Sequence, residues 1–524
     1  MKKKVKILLL FTICFVLPFL SAANYNYTYW GDAIPSAPGM TFASSHNAAS
    51  LGVSSFDRPR DLHVYDGFIF IVTAANNLIV LDSNFQLVTE RTVFEWHPDY
   101  HMMIPNPNFN ETLPPGPGNQ EFIPAPPVRL NNPNGITVNH HRIWIANTGD
   151  ANGGNIIILD REFRVVFIPP KPDDIIFQDS EDAQGNPIPG HVYNPLKITV
   201  DSSERMYVIA TGVFEGIIEL DPDGTFTRYT GVNPITLTPW QIFTRRFMTA
   251  AQIAQQPRFL PTRFTNVMMT PDNFILATAQ AADSGDNTRM IQLINPRGID
   301  ILTRRGFQPP MGDVQFNRSR HVFTTIMGPS RLVSVAFTSN GIYSVLDQNR
   351  SRIFTYDAEG NLLYVTGETG VQADKLSNQV SAIAYFGDDL LVLDAGNHNL
   401  LRFTLTDFGR LVNEATALHR NGQWDESAQV WRQVLEINTN FQIAYNGIGK
   451  YYLRNHMFRE AMVNFRLGHD RFFYSLAFQG FRDGIIRVLF APVVLTTAGL
   501  ILMYFVGKKI YKWKKTRDEE MRNL

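Results

Sequence analysis

Cysteine is almost absent from this sequence. The chain has 524 residues and one cysteine, Cys14, which lies in an apolar run close to its start. If that run is a cleaved signal peptide, as argued below, the exported chain has no cysteine at all. Disulfides, thiolate metal sites and cysteine nucleophiles are then excluded. Such a chain has to rely on an apolar core, and a hydrophobic content of 44% is sufficient for one.

An excess of charge of either sign is also lacking. The 47 lysines and arginines nearly balance the 48 aspartates and glutamates. No basic domain is present, and no basic stripe is interleaved with aromatic residues. Both features are typical of nucleic-acid binding, so the sequence argues against a nucleic-acid partner.

Catalytic signatures are missing as well. The sequence contains no HExxH, GxSxG, phosphate-loop or zinc-ligand pattern. His97 and His101 have the i, i+4 spacing of a helical metal site, but they lie in a proline-rich segment, which does not favour a helix. We therefore assign no catalytic or metal-binding residue and predict no cofactor. The acidic loop candidates, each of which the solvation of a turn explains, are Asp283, Asp286, Asp313, Glu181 and Asp182.

Residues 1–23 have the pattern of a secretory signal peptide. Four lysines fall within the first six residues, an apolar run covers residues 7–19, and small residues at 21 and 23 suit cleavage. Ile13 precedes Cys14 where a lipoprotein signal needs a small residue, which argues against lipid modification. An uncleaved anchor is the alternative.

A second apolar run lies near the other end of the chain. Residues 488–506 contain no charge over 19 positions, which is just long enough to cross a bilayer as a helix. We predict a transmembrane helix over residues 485–507, with a buried core helix as the alternative. Five lysines and one arginine follow before position 518, so the positive-inside rule predicts a cytoplasmic basic tail over residues 508–524. The bulk of the chain is then extracytoplasmic, in a single-pass protein of the cell membrane.

Residues 328–367 show most clearly a pattern that recurs along the rest of the chain. They contain four short β-prone runs separated by turns rich in Asn, Asp and Gly, which is typical of antiparallel strands. Four strands in so short a stretch make one small sheet. Because such a sheet cannot bury both of its faces alone, we expect further copies of it.

The copies are visible as six unit starts and six strand-turn elements. Units repeated radially predict a six-bladed β-propeller over residues 24–408; a β-sandwich would not explain turns that recur in register. The unit starts are RPRDLHV from Arg58, NPNGITV from Asn132, NPLKITV from Asn194, LPTRFTNV from Leu260, GPSRLVSV from Gly328 and NQVSAIAY from Asn378. The strand-turn elements end near Asn84, Glu162, Gly224, Gly298, Gly360 and, in a looser version, Gly409.

The units resemble the NHL-repeat family, whose blades open with a Pro-x-Gly-Ile-x-Val-like strand. Residues 132–138 fit that opening best, and residues 381–384 with 390–394 and 397–403 fit the following two strands. The resemblance covers roughly residues 58–406 and implies a fold rather than an activity.

The sixth unit lacks an outer strand, because the pattern after residue 405 becomes helical. We expect part of the segment 24–57 to supply that strand and to close the ring. The alternation of aromatic residues over residues 25–30 indicates a strand. The alternative and more specific interpretation is a site where aromatic rings stack on carbohydrate.

Three insertions interrupt the blades. Residues 97–128 are proline-rich and are predicted to form a long surface loop without regular sheet. The second insertion covers residues 169–192. The third contains residues 239–256, where helical spacing of apolar residues predicts an amphipathic helix. That helix either packs on the blades or docks a partner.

Residues 409–484 change to a helical period and resemble two tetratricopeptide repeats. Small residues in such repeats let paired helices approach closely, and aromatic residues fill the groove between pairs. The usual proline after the second helix is absent, and Asn438 lies near that place. A further helix over about residues 471–483 is predicted to cap the stack. The matching positions are Gly422, Trp424, Ala428 and Trp431 in the first repeat and Gly449, Tyr452, Ala461 and Phe465 in the second.

Two functions fit this layout. The first is a membrane-anchored binding and scaffold protein, because propellers and tetratricopeptide repeats are both interaction folds. The whole layout resembles bacterial propeller–tetratricopeptide membrane proteins, which implies an accessory role in ABC-type, carbohydrate-linked transport, with transporter subunits as protein partners and carbohydrate as a candidate ligand. The second is a lactonase- or lyase-like enzyme that needs a divalent metal. Acidic or histidine side chains converging at one mouth of the propeller channel would distinguish the second function from the first.

Overall fold

The computed structural model describes most of the chain. The predicted signal peptide, the predicted helix at 239–256 and the candidates His101, Asp182, Asp283 and Asp286 lie outside the described residues. The described stretches are 24–100, 103–105, 122–181, 187–188, 190–231, 263–281, 287–314 and 328–522.

The predicted six-bladed β-propeller is confirmed. Each of the first three blades is a four-stranded antiparallel meander, and its strands follow one another along the chain. From the inside outward, the strands are Pro59–Tyr65, Phe68–Thr73, Leu78–Leu81 and Leu87–Arg91 in the first blade; Pro133–Val138, Arg142–Asp150, Gly153–Asp160 and Val165–Phe167 in the second; and Pro195–Val200, Met206–Ala210, Ile217–Leu220 and Phe226–Thr230 in the third.

The other three blades follow the same plan with two variations. The fourth blade has three strands within the described residues, and the sixth takes its outer strand from the N-terminal segment. The strands are Phe264–Met269, Ile275–Ala279 and Ile291–Ile294 in the fourth blade; Leu332–Phe337, Tyr343–Asp347, Arg352–Tyr356 and Leu362–Thr366 in the fifth; and Val380–Phe386, Asp389–Asp394, Asn399–Leu405 and Met40–His46 in the sixth.

The recurring Asp or Asn after the third strand has a structural reason. Asp82 Oδ1 accepts hydrogen bonds from the backbone N–H groups of Asn84 and Gln86, which fixes the turn to the outer strand. Asp160, Asn295 and Asp357 make the same pair of bonds in three further blades. A short polar side chain that caps its own turn explains why these residue types repeat.

Neighbouring blades pack face to face through apolar clusters, so most strands are buried on both faces. Ile71 of the first blade and Leu391 of the sixth share one such cluster, as do Ile145 of the second blade and Phe70 of the first. The inner strands contact one another around the whole ring, including the sixth blade against the first. This arrangement explains why the strands are continuous apolar runs rather than alternating ones.

The N-terminal segment closes the ring, as predicted. Met40–His46 pairs antiparallel with Asn399–Leu405, in a register that sets Thr41 opposite Thr404. The first half of the aromatic stretch has a different role: Tyr25–Tyr27 pairs with Ala33–Pro35, and the side chains of Tyr25 and Tyr27 enter a core shared with the fourth and fifth blades. Tyr25 and Tyr27 are therefore not available as a carbohydrate-stacking platform.

The insertions contain more regular structure than expected. The prediction that residues 97–128 exclude sheet was wrong, because Met103–Pro105 pairs with Phe122–Pro124. Short, isolated ladders of this kind tolerate proline, since each uses only a few backbone donors. The remaining short elements are the ladders Val93–Phe94 with Val128–Arg129 and Ser180–Glu181 with Pro187–Ile188, and the 3-10 turns Pro98–Tyr100 and Ile175–Phe177.

The chain divides into two compact units, Met1–Asn413 and Glu414–Leu524. The second unit is helical and contains antiparallel hairpins whose close contacts involve glycine. A Cβ atom on Gly449 would lie 2.7 Å from Phe465 Cε1, and one on Gly447 would lie 2.3 Å from Trp431 Nε1. The helices are α1 (Ala48–Leu51) in the first unit, α2 (Asp407–Arg420) across the boundary, and α3 (Trp424–Ile437), α4 (Gln442–Arg454), α5 (Phe458–Leu467) and α6 (Arg471–Arg522) in the second.

The last helix differs from the prediction. The sequence predicts a capping helix over about residues 471–483 that leads into a span over 485–507 and a tail over 508–524; α6 runs through all three as one helix of 52 residues that includes Pro492. In its first turns, Phe473 and Ala477 pack against the hairpin formed by α4 and α5. Its most apolar 18-residue window has a mean hydropathy of 2.2 and is not buried, so α6 is long and apolar enough to cross a membrane.

Candidate functional site

All six inner strands carry a β-bulge at the same place. In each blade, the pairing between the first and second strands slips by one residue just after the inner strand begins. A bulge leaves its extra residue outside the ladder and re-aims that side chain. The six residues skipped by the pairing are Arg60, Asn134, Leu196, Thr265, Val333 and Ser381.

These six residues converge on one cavity. All of them line a space of about 700 Å³ where the inner strands begin and the second strands end. Since every blade contributes, this cavity is one mouth of the central channel, and we call it the channel mouth. Repetition of a single backbone irregularity therefore builds a concave site on the propeller axis.

The channel mouth is basic. Five of its lining residues carry a positive charge, and among the described residues its lining contains no aspartate, glutamate or histidine. The cationic residues come from four different blades, at or next to the start of each inner strand. They are Arg58, Arg60, Lys197, Arg263 and Arg331.

Hydrogen bonds between blades hold the bulges in place. Arg60 Nη1 donates to Asn134 Oδ1 at 2.8 Å, which joins the first and second blades. Thr265 Oγ1 donates to the carbonyl of Leu332 at 2.7 Å, and Ser381 Oγ donates to that of Pro59 at 2.6 Å. The mouth is thus preorganised by bonds between adjacent blades.

One buried carboxylate supports the mouth from behind. Asp61 accepts a hydrogen bond from the backbone N–H of Ile136 at 3.1 Å and lies 3.0 Å from Lys197 Nζ. Burial raises the pKa of Asp61, and the ammonium of Lys197 opposes that rise. The ammonium of Lys197 is therefore paired with a buried carboxylate, and in this it differs from the more exposed arginines.

Asp313 lies away from the channel mouth, and it is not a solvated turn residue as the sequence suggested. It is 6% exposed. Its Oδ2 lies 2.7 Å from Arg350 Nε, and its Oδ1 accepts a hydrogen bond of 2.6 Å from the Tyr27 hydroxyl. Asp313 is therefore part of a buried polar cluster that connects the N-terminal segment to the fifth blade.

The other described candidates do not assemble a metal site. His97 Nε2 lies 3.9 Å from Asp160 Oδ2, and its Nδ1 lies 3.9 Å from Asp99. Within the described part of the chain, no group of three His, Cys, Asp or Glu residues could hold a metal ion. Glu181 lies in a two-residue strand of the second insertion. No observation at the channel mouth therefore favours the metal-dependent lactonase- or lyase-like alternative.

Sequence reasoning identified the six unit starts but not the basic channel mouth that their residues line. Arg58, Arg60, Lys197, Arg263 and Arg331 all lie within those unit starts. Aligning the starts on their proline or apolar residue would have shown a cation at or close to the start of four of the six inner strands. The bulge, whose extra residue in the lining of the mouth is Arg60 in the first blade and an uncharged residue in the other five, has no such signal in the sequence.

Comparisons with known proteins extend to the fold alone. No family model matches the chain, and no curated protein matches it. Virginiamycin B lyase from Staphylococcus aureus is 12% identical with a TM-score of 0.37, and the match covers 69% of this chain and 99% of that one. A streptogramin B lyase structure is 13% identical with a TM-score of 0.37, covering 71% and 100%. The computationally designed Ika8 protein is 10% identical with a TM-score of 0.33, covering 71% and 100%. Likeness at this level carries no argument about what this chain binds or catalyses.

Proposed function

We propose that the chain is a membrane-anchored, extracytoplasmic binding and scaffold protein that holds a protein complex beside the bilayer. The observation that carries this proposal is the exposure of α6. Its apolar window is not buried, although its first turns pack on the helical hairpins. So large an apolar surface needs a cover. A bilayer suits a window of this length and hydropathy.

The orientation follows from charge and from the N-terminal sequence. Lysines and arginines crowd the C-terminal side of the apolar window, which favours a cytoplasmic tail. The predicted signal peptide at residues 1–23 independently favours export of everything before the span. The propeller and the helical hairpins are then extracytoplasmic, and the protein belongs to the cell membrane as a single-pass protein.

The hairpins are proposed to be tetratricopeptide-like, and the blades NHL-like. Support for the first comes from the contact of Gly449 with Phe465, since both residues match the repeat and the glycine admits the ring. Apolar side chains on α5 also remain uncovered, with Val463 59% and Leu467 50% exposed. Interaction repeats of this kind commonly present such faces to a partner.

The partner is proposed to be an integral membrane complex, with subunits of an ABC-type, carbohydrate-linked transport system as the specific candidate. This finer step rests on the resemblance of the whole layout to bacterial propeller–tetratricopeptide membrane proteins. No cofactor and no nucleic acid enters the proposal.

The test is a pull-down of the tagged full chain from membranes in a mild detergent, followed by mass spectrometry. The proposal predicts stoichiometric recovery of a permease or another integral membrane protein. Recovery of the chain alone would contradict it. A permease among the recovered proteins would support the transport role, whereas recovery of membrane proteins of another class would contradict that finer step.

A pair of variants sharpens this test. Replacing Val463 and Leu467 together by Gln should reduce recovery of the partner, because these exposed apolar side chains lie one turn apart on α5. Arg466→Gln, on the same helix, is the matched control and should leave recovery unchanged. Equal recovery with both proteins would argue that α5 is not the docking face.

A further inference from the structure

We propose that the channel mouth binds a small, multiply charged oxyanion, a phosphate ester or a polycarboxylate. This inference goes beyond the scaffold function and does not depend on it. It rests on three features of the described residues: the sign of the lining charges, the absence of ion-pair partners for the central arginines, and the dimensions of the cavity.

The charges at the mouth are only partly compensated. Asp61 pairs with Lys197, and Asp57 pairs with Arg58 at 3.4 Å. Arg263 and Arg331 form no ion pair with any described residue, and among those residues Arg60 donates only to the neutral Asn134. Three of the five cations therefore lack a carboxylate partner within the described part of the chain.

Like charges gathered in a concave site repel one another. Burial, and after it the positive charge of Arg58, lowers the pKa of Arg60. Arg263 and Arg331 have no side-chain hydrogen bond to a described residue that would explain their position structurally. An arrangement that costs electrostatic energy in the free protein, and that an anion would relieve, is typical of a binding site.

The chemistry of the lining selects the class of ligand. Guanidinium groups donate two parallel hydrogen bonds to phosphate or carboxylate oxygens. Gln280 and Gln379 add amide groups that have no side-chain partner among the described residues, and they suit hydroxyls on the body of the ligand. A cavity of about 700 Å³ has the size of a small-molecule site.

The experiment uses the purified full chain in a neutral detergent and measures binding by calorimetry. The probes are inorganic tripolyphosphate and citrate, with glucose as the uncharged control. We expect one or both anions to bind, with an affinity that falls as the ionic strength is raised to about 0.15 M, and we expect no heat from glucose. Binding by tripolyphosphate alone would identify a phosphate site, and binding by citrate alone a carboxylate site.

The decisive variant replaces Arg263 and Arg331 together by Gln. Both side chains lack structural partners among the described residues, so the protein should fold, and the affinity should fall about tenfold or more, because charge-assisted hydrogen bonds are lost. Arg297→Gln is the matched control, since Arg297 is exposed in a turn of the same fourth blade and does not line the mouth. Absence of heat with both anions at low ionic strength would overturn the proposal. Equal affinities of the double variant and the control would overturn it too. Neither result depends on the pull-down.

Discussion

Arg350 Nε lies 2.7 Å from Asp313 Oδ2, and both side chains are buried. The same guanidinium reaches Asp347 Oδ2 at 3.4 Å, so one cation serves two buried carboxylates. Tyr27 donates its hydroxyl hydrogen to Asp313, and burial raises the pKa of Tyr27 far above its ordinary value. The cluster connects the N-terminal segment that closes the ring to the fifth blade.

Arg350→Met should therefore destabilise the propeller strongly. The change leaves Asp313 and Asp347 buried without their shared cation, and removing one partner of a buried pair costs about 3–5 kcal/mol. Tyr27→Phe should cost less, about 1.5–3 kcal/mol, because it removes one hydrogen bond to a charged group. Urea unfolding of the full chain in detergent, followed by tryptophan fluorescence, measures both. A loss below about 1 kcal/mol for Arg350→Met would show that the pair contributes little.

Gly449→Ala should destabilise the helical hairpins although alanine favours a helix. The added Cβ would lie 2.7 Å from Phe465 Cε1, and that ring is held by stacking on Phe473 at 5.5 Å. We expect a loss of about 1–3 kcal/mol, typical of overpacking. Gly484→Ala is the matched control, because its added Cβ would have no heavy atom within 4 Å other than those of its chain neighbours and its own helix backbone. It should be neutral or stabilising by up to about 1 kcal/mol. Equal melting temperatures of the two variants would contradict the close contact.

A disulfide should lock the ring closed. Thr41 and Thr404 are direct partners in the closing ladder, and opposed residues of an antiparallel pair have Cα separations that suit a disulfide. Thr41→Cys with Thr404→Cys should form a reducible cross-link over a very long loop and raise the melting temperature. Thr41→Cys with Leu401→Cys is the control, since Leu401 pairs with Ser45 instead. Cross-linking of the control to the same extent would argue against the register.

Acid should destabilise the first blade through His63. Burial lowers the pKa of His63 from 6.5 to about 4, and a hydrogen bond with the backbone of Val138 opposes that shift. Between these values the unfolded chain binds a proton that the folded chain does not bind, so stability falls as the pH falls from about 6.5 to about 4. The expected loss is about 3 kcal/mol.

The control for this prediction is a comparison of the pH dependence of stability between the wild type and the variant His63→Gln. His63→Gln removes the titration of this group but leaves every other acid and base in place. The wild type should lose more stability than His63→Gln over that pH range. Parallel pH profiles would mean that His63 titrates normally in the folded protein.

The fold was predictable because its determinants are local. The blades are recognisable in the sequence by apolar runs and by an Asp or Asn that caps its own turn, as Asp82 does. Ring closure by the N-terminal segment followed from a missing strand in the sixth unit. The sequence predicts segment boundaries near residues 484 and 507, whereas α6 continues through both positions as one helix.

The candidate site was not predictable because its determinants are distant. Whether Arg60 or Thr265 reaches the channel depends on a one-residue slip between paired strands, and a slip of this kind reverses the face that a side chain occupies. Asp313 was misjudged for a similar reason, since its partner Tyr27 is 286 positions away in the chain. Neither relationship leaves a periodic signal in the sequence.

The central claim, a propeller held outside the cell membrane by α6, is tested most directly by cysteine labelling. The predicted signal peptide contains the only natural cysteine, so single cysteines can be introduced cleanly, with the unmodified chain as the control. Val371 is a fully exposed residue of the propeller, and Lys515 lies beyond the apolar window, so each is replaced by cysteine in a separate variant. A membrane-impermeant maleimide applied to bacterial spheroplasts should label Val371→Cys at once and Lys515→Cys only after permeabilisation. The reverse pattern, or labelling of both before permeabilisation, would contradict the account.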